Sequence, residues 1–183
     1  METRVRSFEE FVLADPEGRN WELHDGQILE KPSMSAQHNG AFAYLGAQLI
    51  HQLDRRTYRV RINGGHLRRL ESTYFIPDVA VIPTDVELAQ RRGPGHLEVY
   101  TDPLPLVVEI WSTSTGRYDV NTKTPEYQPR GDLEIWRLQP FERILTAWRR
   151  LPDGSDDIAT FVGGTVQPVA LPNVTIDLDA LFD

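Results

Sequence analysis

A chain of 183 residues with 40% hydrophobic and 25% charged content is long enough for one core of ordinary size, so a single domain over 1–183 is expected, not a disordered or fibrous protein. A net charge of −8 at pH 7 argues against a protein that coats nucleic acid by bulk attraction, because phosphate affinity comes largely from counterions released at Lys and Arg. The absence of Cys excludes a disulfide framework and a Cys-based zinc site, leaves oxygen and imidazole as donors for any metal, and makes a reducing cytoplasm the expected location.

No apolar run approaches the length of about 20 residues that crosses a bilayer, so no membrane association is expected. The opening METRVRSFEEFVLADPEG carries acidic residues where a signal peptide would have its apolar core, which argues against secretion. Ser7 and Glu10 have the spacing of a capping box, predicting a short helix from there that stops near Asp15-Pro16-Glu17-Gly18. Trp21 to Lys31 then alternates on either side of Asp25-Gly26, a strong hairpin signal. From about Ser35 to Leu53 the residues Phe42, Leu45, Leu49 and Leu53 recur at helical spacing, marking the longest amphipathic helix, although Gly40 and Gly46 are poor helix formers. His38 extends that apolar stripe at the N-terminal end and is expected to look inward, as a hydrogen-bonded core histidine or as a functional one.

Strands are predicted at Tyr58 to Asn63, His66 to Leu70, Phe75 to Pro83 and Leu106 to Ser112, with a tight turn at Gly64-Gly65. Arg55, Arg56, Arg59, Arg61, Arg68 and Arg69 fall in this region with no acidic residue between Asp54 and Glu71; taken alone, such a run reads as a solvated sheet edge. Thr84 to Pro105 reads as a surface excursion with one turn of helix at Val86 to Gln90. A short helix after Lys123 precedes strands at Leu133 to Leu138 and Ile144 to Arg150, and two or three more strands reach Leu181. This order predicts an α+β or mixed α/β fold, with one central sheet and helices packed on it.

Two carboxylates interrupt otherwise apolar strands: Asp78 within Phe75 to Ile82, and Glu109 within Leu106 to Trp111. A carboxylate taken out of water costs several kcal/mol unless it is paired, hydrogen-bonded or bound to metal. Pro77 cannot donate a ladder hydrogen bond, so Asp78 falls where a sheet opens or bends. Strand alternation sets Asp78 on the face of Ala80 and Ile82, and Glu109 on the face of Val107 and Trp111. On neighbouring strands the two converge, and a hard divalent cation such as Mg²⁺ or Mn²⁺ relieves their repulsion. On that reading Glu109→Gln is expected to raise thermal stability without metal. Asp119 and Lys123, four apart just past the Glu109 strand, offer an ammonium that could orient a water or stabilise charge on a phosphate.

These residues resemble a known family. Pro77-Asp78, then Val108-Glu109-Ile110-Trp111-Ser112, then Asp119-Val120-Asn121-Thr122-Lys123 with Tyr127, and Leu133 to Trp136 are similar to the Uma-type restriction-endonuclease-like family of the PD-(D/E)xK nuclease superfamily. Trp21-Glu22-Leu23, His38 at the head of the long helix, and the ending Thr175 to Phe182 are of the same kind, so the resemblance spans nearly the whole chain. It implies a restriction-endonuclease-like core, a central mixed β-sheet flanked by helices, with an extra N-terminal hairpin and C-terminal strands. It implies Asp78 and Glu109 as metal ligands, the Ile110 carbonyl as a further ligand, Lys123 as the catalytic lysine, and Glu22, His38 and Asp119 in support. Trp111 occupies the slot two after the Glu where the superfamily's Lys commonly stands, and Lys123 matches a migrated position on the following helix. Pro129 is expected to end that helix early, leaving Lys123 on a loop or first turn.

The expected function is Mg²⁺- or Mn²⁺-dependent hydrolysis of phosphodiester bonds in nucleic acid, most simply DNA, with the Arg55 to Arg69 cluster as a phosphate-contacting surface. A homodimer would suit cleavage of both strands of a duplex. The alternative is a degenerate nuclease-fold module that binds nucleic acid or protein without catalysis.

Overall fold

A computed structural model describes residues 5–31, 36–91, 93–111 and 119–183, with the backbone alone for 5–7, 36–37 and 119–120. Helix α1 (Val5–Leu13) is already under way at Ser7, so the Ser7–Glu10 pair lies inside the helix and does not start it. A cap preference of about 1 kcal/mol is a local signal that does not by itself fix a boundary. The hairpin forms as read: β1 (Trp21–His24) and β2 (Gln27–Glu30) are antiparallel around Asp25 and Gly26, whose φ angles of 48° and 78° are those of a two-residue primed turn. Helix α2 (Ala36–Gln52) follows. Gly46 on it has a steric cause, since a Cβ there would overlap the Ile62 side chain.

The next strands are β3 (Tyr58–Ile62), β4 (His66–Arg68), β5 (Tyr74–Phe75) and β6 (Val79–Pro83), followed by helix α3 (Thr84–Gln90), β7 (Val99–Tyr100) and β8 (Leu106–Ile110). A π-helical turn (Asp119–Lys123) runs into helix α4 (Thr124–Arg130), and the chain closes with β9 (Glu134–Gln139), β10 (Ile144–Arg150), β11 (Asp156–Phe161), β12 (Thr165–Val166), β13 (Ile176–Asp177) and helix α5 (Leu178–Phe182). Thr84 to Pro105 is thus more than a surface excursion, because it holds α3 and the buried strand β7.

Two principal sheets replace the single one expected: a six-stranded mixed sheet ordered β11-β10-β9-β8-β6-β3 and a five-stranded sheet ordered β2-β1-β5-β4-β7, besides the small β12-β13 ladder. The run read as one strand, Phe75 to Pro83, supplies β5 to one sheet and β6 to the other. Pro77 lies in the break and has no N–H to continue a ladder.

One face of the six-stranded sheet presents Val79, Val81, Val108, Ile110, Trp136 and Leu138 to Ala41, Leu45 and Leu49 of α2 and to the C-terminal segment. Its other face packs Ala80, Ile82, Val107 and Ile135 against Leu67, Phe75, Tyr100 and Tyr127. Burial of this kind stabilises by roughly 25 cal/mol per Å² of apolar surface removed from water. Among the described residues no helix is long and apolar enough to cross a membrane.

Candidate active site

The site grows out of the β5–β6 break. Backbone groups buried outside a ladder need other partners, and ionisable side chains supply them here. The Ile76 N–H donates to Glu22 Oε1 of β1 at 2.8 Å. The Ile76 carbonyl accepts from two ammoniums, Lys31 at 2.8 Å and Lys123 at 3.4 Å. The Asp78 N–H donates to the Val108 carbonyl, the residue that Val79 already faces, so two residues oppose one as at a β-bulge.

β6 and β8 are antiparallel neighbours, as expected, but the bulge re-aims Asp78. Its carboxylate lies along the end of β8, where Oδ2 accepts from the Ile110 N–H at 2.6 Å and pairs with His38 Nε2 of α2 at 3.0 Å. It therefore departs from the predicted Ala80–Ile82 face, since α2 packs on the Val79–Val81 side. Glu109 does share the face of Val107 and accepts a 2.5 Å bond from the Tyr127 hydroxyl. Asp78 Oδ1 holds Lys31 Nζ at 2.8 Å. Lys123 Nζ stands 2.8 Å from Glu22 Oε1 and 3.4 Å from Glu109.

Lys123 is buried, at 1% exposure, and its backbone lies in the π-helical turn and not on a loop. Such turns widen a helix locally and recur at functional sites. Pro125 is tolerated at the head of α4, and Pro129 does not stop that helix before Arg130 because it enters the last turn, where Gly131 (φ 92°) makes the cap. Lys123 and Tyr127, one helical turn apart, thereby meet Glu109 together. Arg130 anchors the end of α4 through Asp132 at 2.9 Å and the Asp102 carbonyl at 2.6 Å.

Charges set the electrostatics. Burial alone would raise the Asp78 carboxyl, but Lys31, His38 and Lys123 outweigh it and hold it well below the usual carboxylate range. Burial, reinforced by the Glu109 charge, pushes the Tyr127 phenol well above its ordinary value, so it stays a donor. Glu109→Gln, expected from sequence to stabilise, now has the opposite sign, because Glu109 faces an ammonium and a hydroxyl and not an uncompensated carboxylate.

The structure brings together Glu22, His38, Asp78, Glu109 and Lys123, and the Ile110 N–H bonded to Asp78 directs its own carbonyl to the same edge of the strand. The Asp119 side chain lies outside the described residues. Sequence reasoning did not find Lys31 or the Ile76 carbonyl, and nothing in the local pattern marks either. The arginine cluster is divided. Arg59 and Arg61 pair with Glu87, Arg61 also with Glu98 at 2.7 Å, and Arg69 with Glu126 at 2.5 Å. Arg68 lies over the Tyr74 ring. Among the described residues the side chains of Arg55 and Arg56 have no acidic partner and are exposed, although the Arg56 backbone N–H donates to Asp54 Oδ1 at 2.8 Å.

The donor chemistry suits a hard divalent cation, since carboxylate and carbonyl oxygens are what Mg²⁺ takes while keeping several waters. Among the carboxylates and ammoniums, Glu22, Asp78 and Glu109 against Lys31 and Lys123 sum to −1, three negative groups against two positive. Among the described residues no three His, Asp or Glu side chains form a ready-made shell, so two carboxylates, a carbonyl and waters are the set available.

The sequence matches the model of the Uma2 family, described as "Putative restriction endonuclease", over residues 7–179. No curated protein matches it. Among solved structures, the crystal structure of "a putative nuclease belonging to DUF820" from Anabaena variabilis ATCC 29413 superposes with a TM-score of 0.75 at 16% identity, covering 98% of this chain and 97% of that one. At that identity the likeness establishes the fold, which is the restriction-endonuclease-like arrangement of a mixed sheet flanked by helices expected from the sequence.

Proposed function

The chain belongs to the Uma2 family, "Putative restriction endonuclease", and from that membership we propose that it is a metal-dependent endonuclease hydrolysing phosphodiester bonds of DNA. One observation carries the reading: Asp78, in the β5–β6 break, lies beside β8, the strand of Glu109, and at that break Lys123 stands between Glu109 and Glu22.

Asp78 and Glu109, with the Ile110 carbonyl, would hold Mg²⁺ or Mn²⁺. That ion supplies Lewis-acid polarisation of the scissile phosphate and a more acidic water. The protein's own groups do the rest. His38 and the Ile110 N–H fix Asp78 Oδ2, and the Tyr127 hydroxyl fixes Glu109 Oε1. Glu22, nearer to the ammonium than Glu109, holds Lys123 where it can orient the attacking water and stabilise charge growing on the phosphate. Arg55 and Arg56 are the part of the basic run free to position a phosphate backbone.

Supercoiled plasmid incubated with Mg²⁺ or Mn²⁺ is the test. Nicking is expected in the wild type, absent in Asp78→Ala and Glu109→Ala, and reduced about 10²-fold or more in Lys123→Met. Nicking that persists unchanged in the two alanine variants rejects the assignment. A second reading, a non-catalytic nucleic-acid or protein-binding module, is favoured by one observation: both candidate ligands already have lysine partners. Calorimetry without metal separates them, since tight DNA binding untouched by Glu109→Ala together with no cleavage supports the module.

A further inference from the structure

The family resemblance calls for one lysine at this site, and the structure has two. Lys31, the residue after β2, has a side chain only 7% exposed and gives Nζ to Asp78 Oδ1 and to the Ile76 carbonyl, both at 2.8 Å. Burying an ammonium is costly unless it is paired, and a hairpin end has no need of it. Asp78 Oδ2 is already engaged by Ile110 and His38. Lys31 thus takes the other oxygen, on the carboxylate to which the metal-binding reading assigns a cation.

The charge count shows what this does. With both lysines in place the cluster stands at −1, and a divalent ion added to it would bring it to +1. Without Lys31 the same cluster stands at −2, and a divalent ion would neutralise it. An ammonium and a divalent ion on one buried carboxylate also repel at short range, where screening is weak. We propose that Lys31 is a built-in counter-cation of Asp78 that competes with the divalent ion, so that metal binds only as the ammonium is displaced. The inference rests on the metal-binding reading above and concerns the resting state of that site.

Titration calorimetry with Mn²⁺ on the wild type, Lys31→Met, Lys31→Arg and Asp78→Asn tests it, with thermal unfolding in EDTA and in Mn²⁺ as a second readout. Lys31→Met is expected to bind Mn²⁺ at least about ten-fold more tightly than wild type, to melt lower than wild type in EDTA, and to gain more in Tm from added Mn²⁺. Lys31→Arg, which keeps the charge, is expected to bind no more tightly than wild type, and Asp78→Asn to lose the site. Equal or weaker affinity in Lys31→Met overturns the inference while an Asp78-dependent site remains. Wild type and Asp78→Asn binding alike would remove the metal reading itself, and the inference with it. Should the Met variant not fold, Lys31→Gln makes the same comparison.

Discussion

Replacing Glu109 by Gln in the metal-free protein removes a charge and keeps the shape. Glu109 is 2% exposed, 3.4 Å from the Lys123 ammonium and 2.5 Å from the Tyr127 hydroxyl. Removing one partner of a buried pair costs about 3–5 kcal/mol because it strands the other charge. Lys123 is not stranded, since Glu22 holds it at the shorter distance of 2.8 Å, and the Gln carbonyl can still accept from Tyr127. The cost therefore falls below that range, at about 2 kcal/mol. For a domain of this size that corresponds to a fall in Tm of roughly 4–8 °C. Calorimetric melting at pH 7 in EDTA, checked by urea midpoints, measures it. An unchanged or higher Tm would refute the pairing and restore the picture of two repelling carboxylates.

Acid stability follows from Asp78. Its carboxyl is depressed in the folded protein below its ordinary 3.8, so its contribution is fully present above that unfolded value and is lost as pH falls through it toward the folded one. Urea midpoints of the wild type should fall more steeply than those of Asp78→Asn between about pH 4 and pH 2 and run parallel above about pH 5; curves parallel throughout contradict the ion pairing. Gly46→Ala places a methyl group against the Ile62 side chain and should cost about 1–3 kcal/mol by overpacking, read as a lower urea midpoint; a neutral or stabilising result would mean that α2 and β3 can separate freely.

Asp78 and Glu109 were legible because a carboxylate inside an apolar strand is costly enough to need a reason. That signal does not distinguish sites from structure. Glu134 is another buried strand carboxylate, yet it serves the Trp136 indole at 2.8 Å and the Ala170 N–H at 3.2 Å, and burial raises its carboxyl. Only the folded arrangement separates the two cases. The adjacency of β6 and β8 followed from their order in the chain, whereas the division into two sheets turned on a three-residue break at Ile76–Asp78 that periodicity cannot resolve. Lys123 was singled out by its spacing from Asp119 just past the Glu109 strand, and given its role by the match to a family pattern. Lys31 was not, because its partner Asp78 is far along the chain. The arginine run looked unopposed for the same reason: Glu87, Glu98 and Glu126, which pair with three of its six arginines, arrive from distant elements.

In the proposed function one divalent cation binds at Asp78 and Glu109. A crystal soaked in Mn²⁺ and measured at the manganese absorption edge tests it directly. The expected result is an anomalous peak within about 2.0–2.4 Å of carboxylate oxygens of both residues and near the Ile110 carbonyl, with Lys31 moved away from Asp78. Full Mn²⁺ occupancy elsewhere, with Lys31 and Lys123 still seated on the two carboxylates, would contradict it.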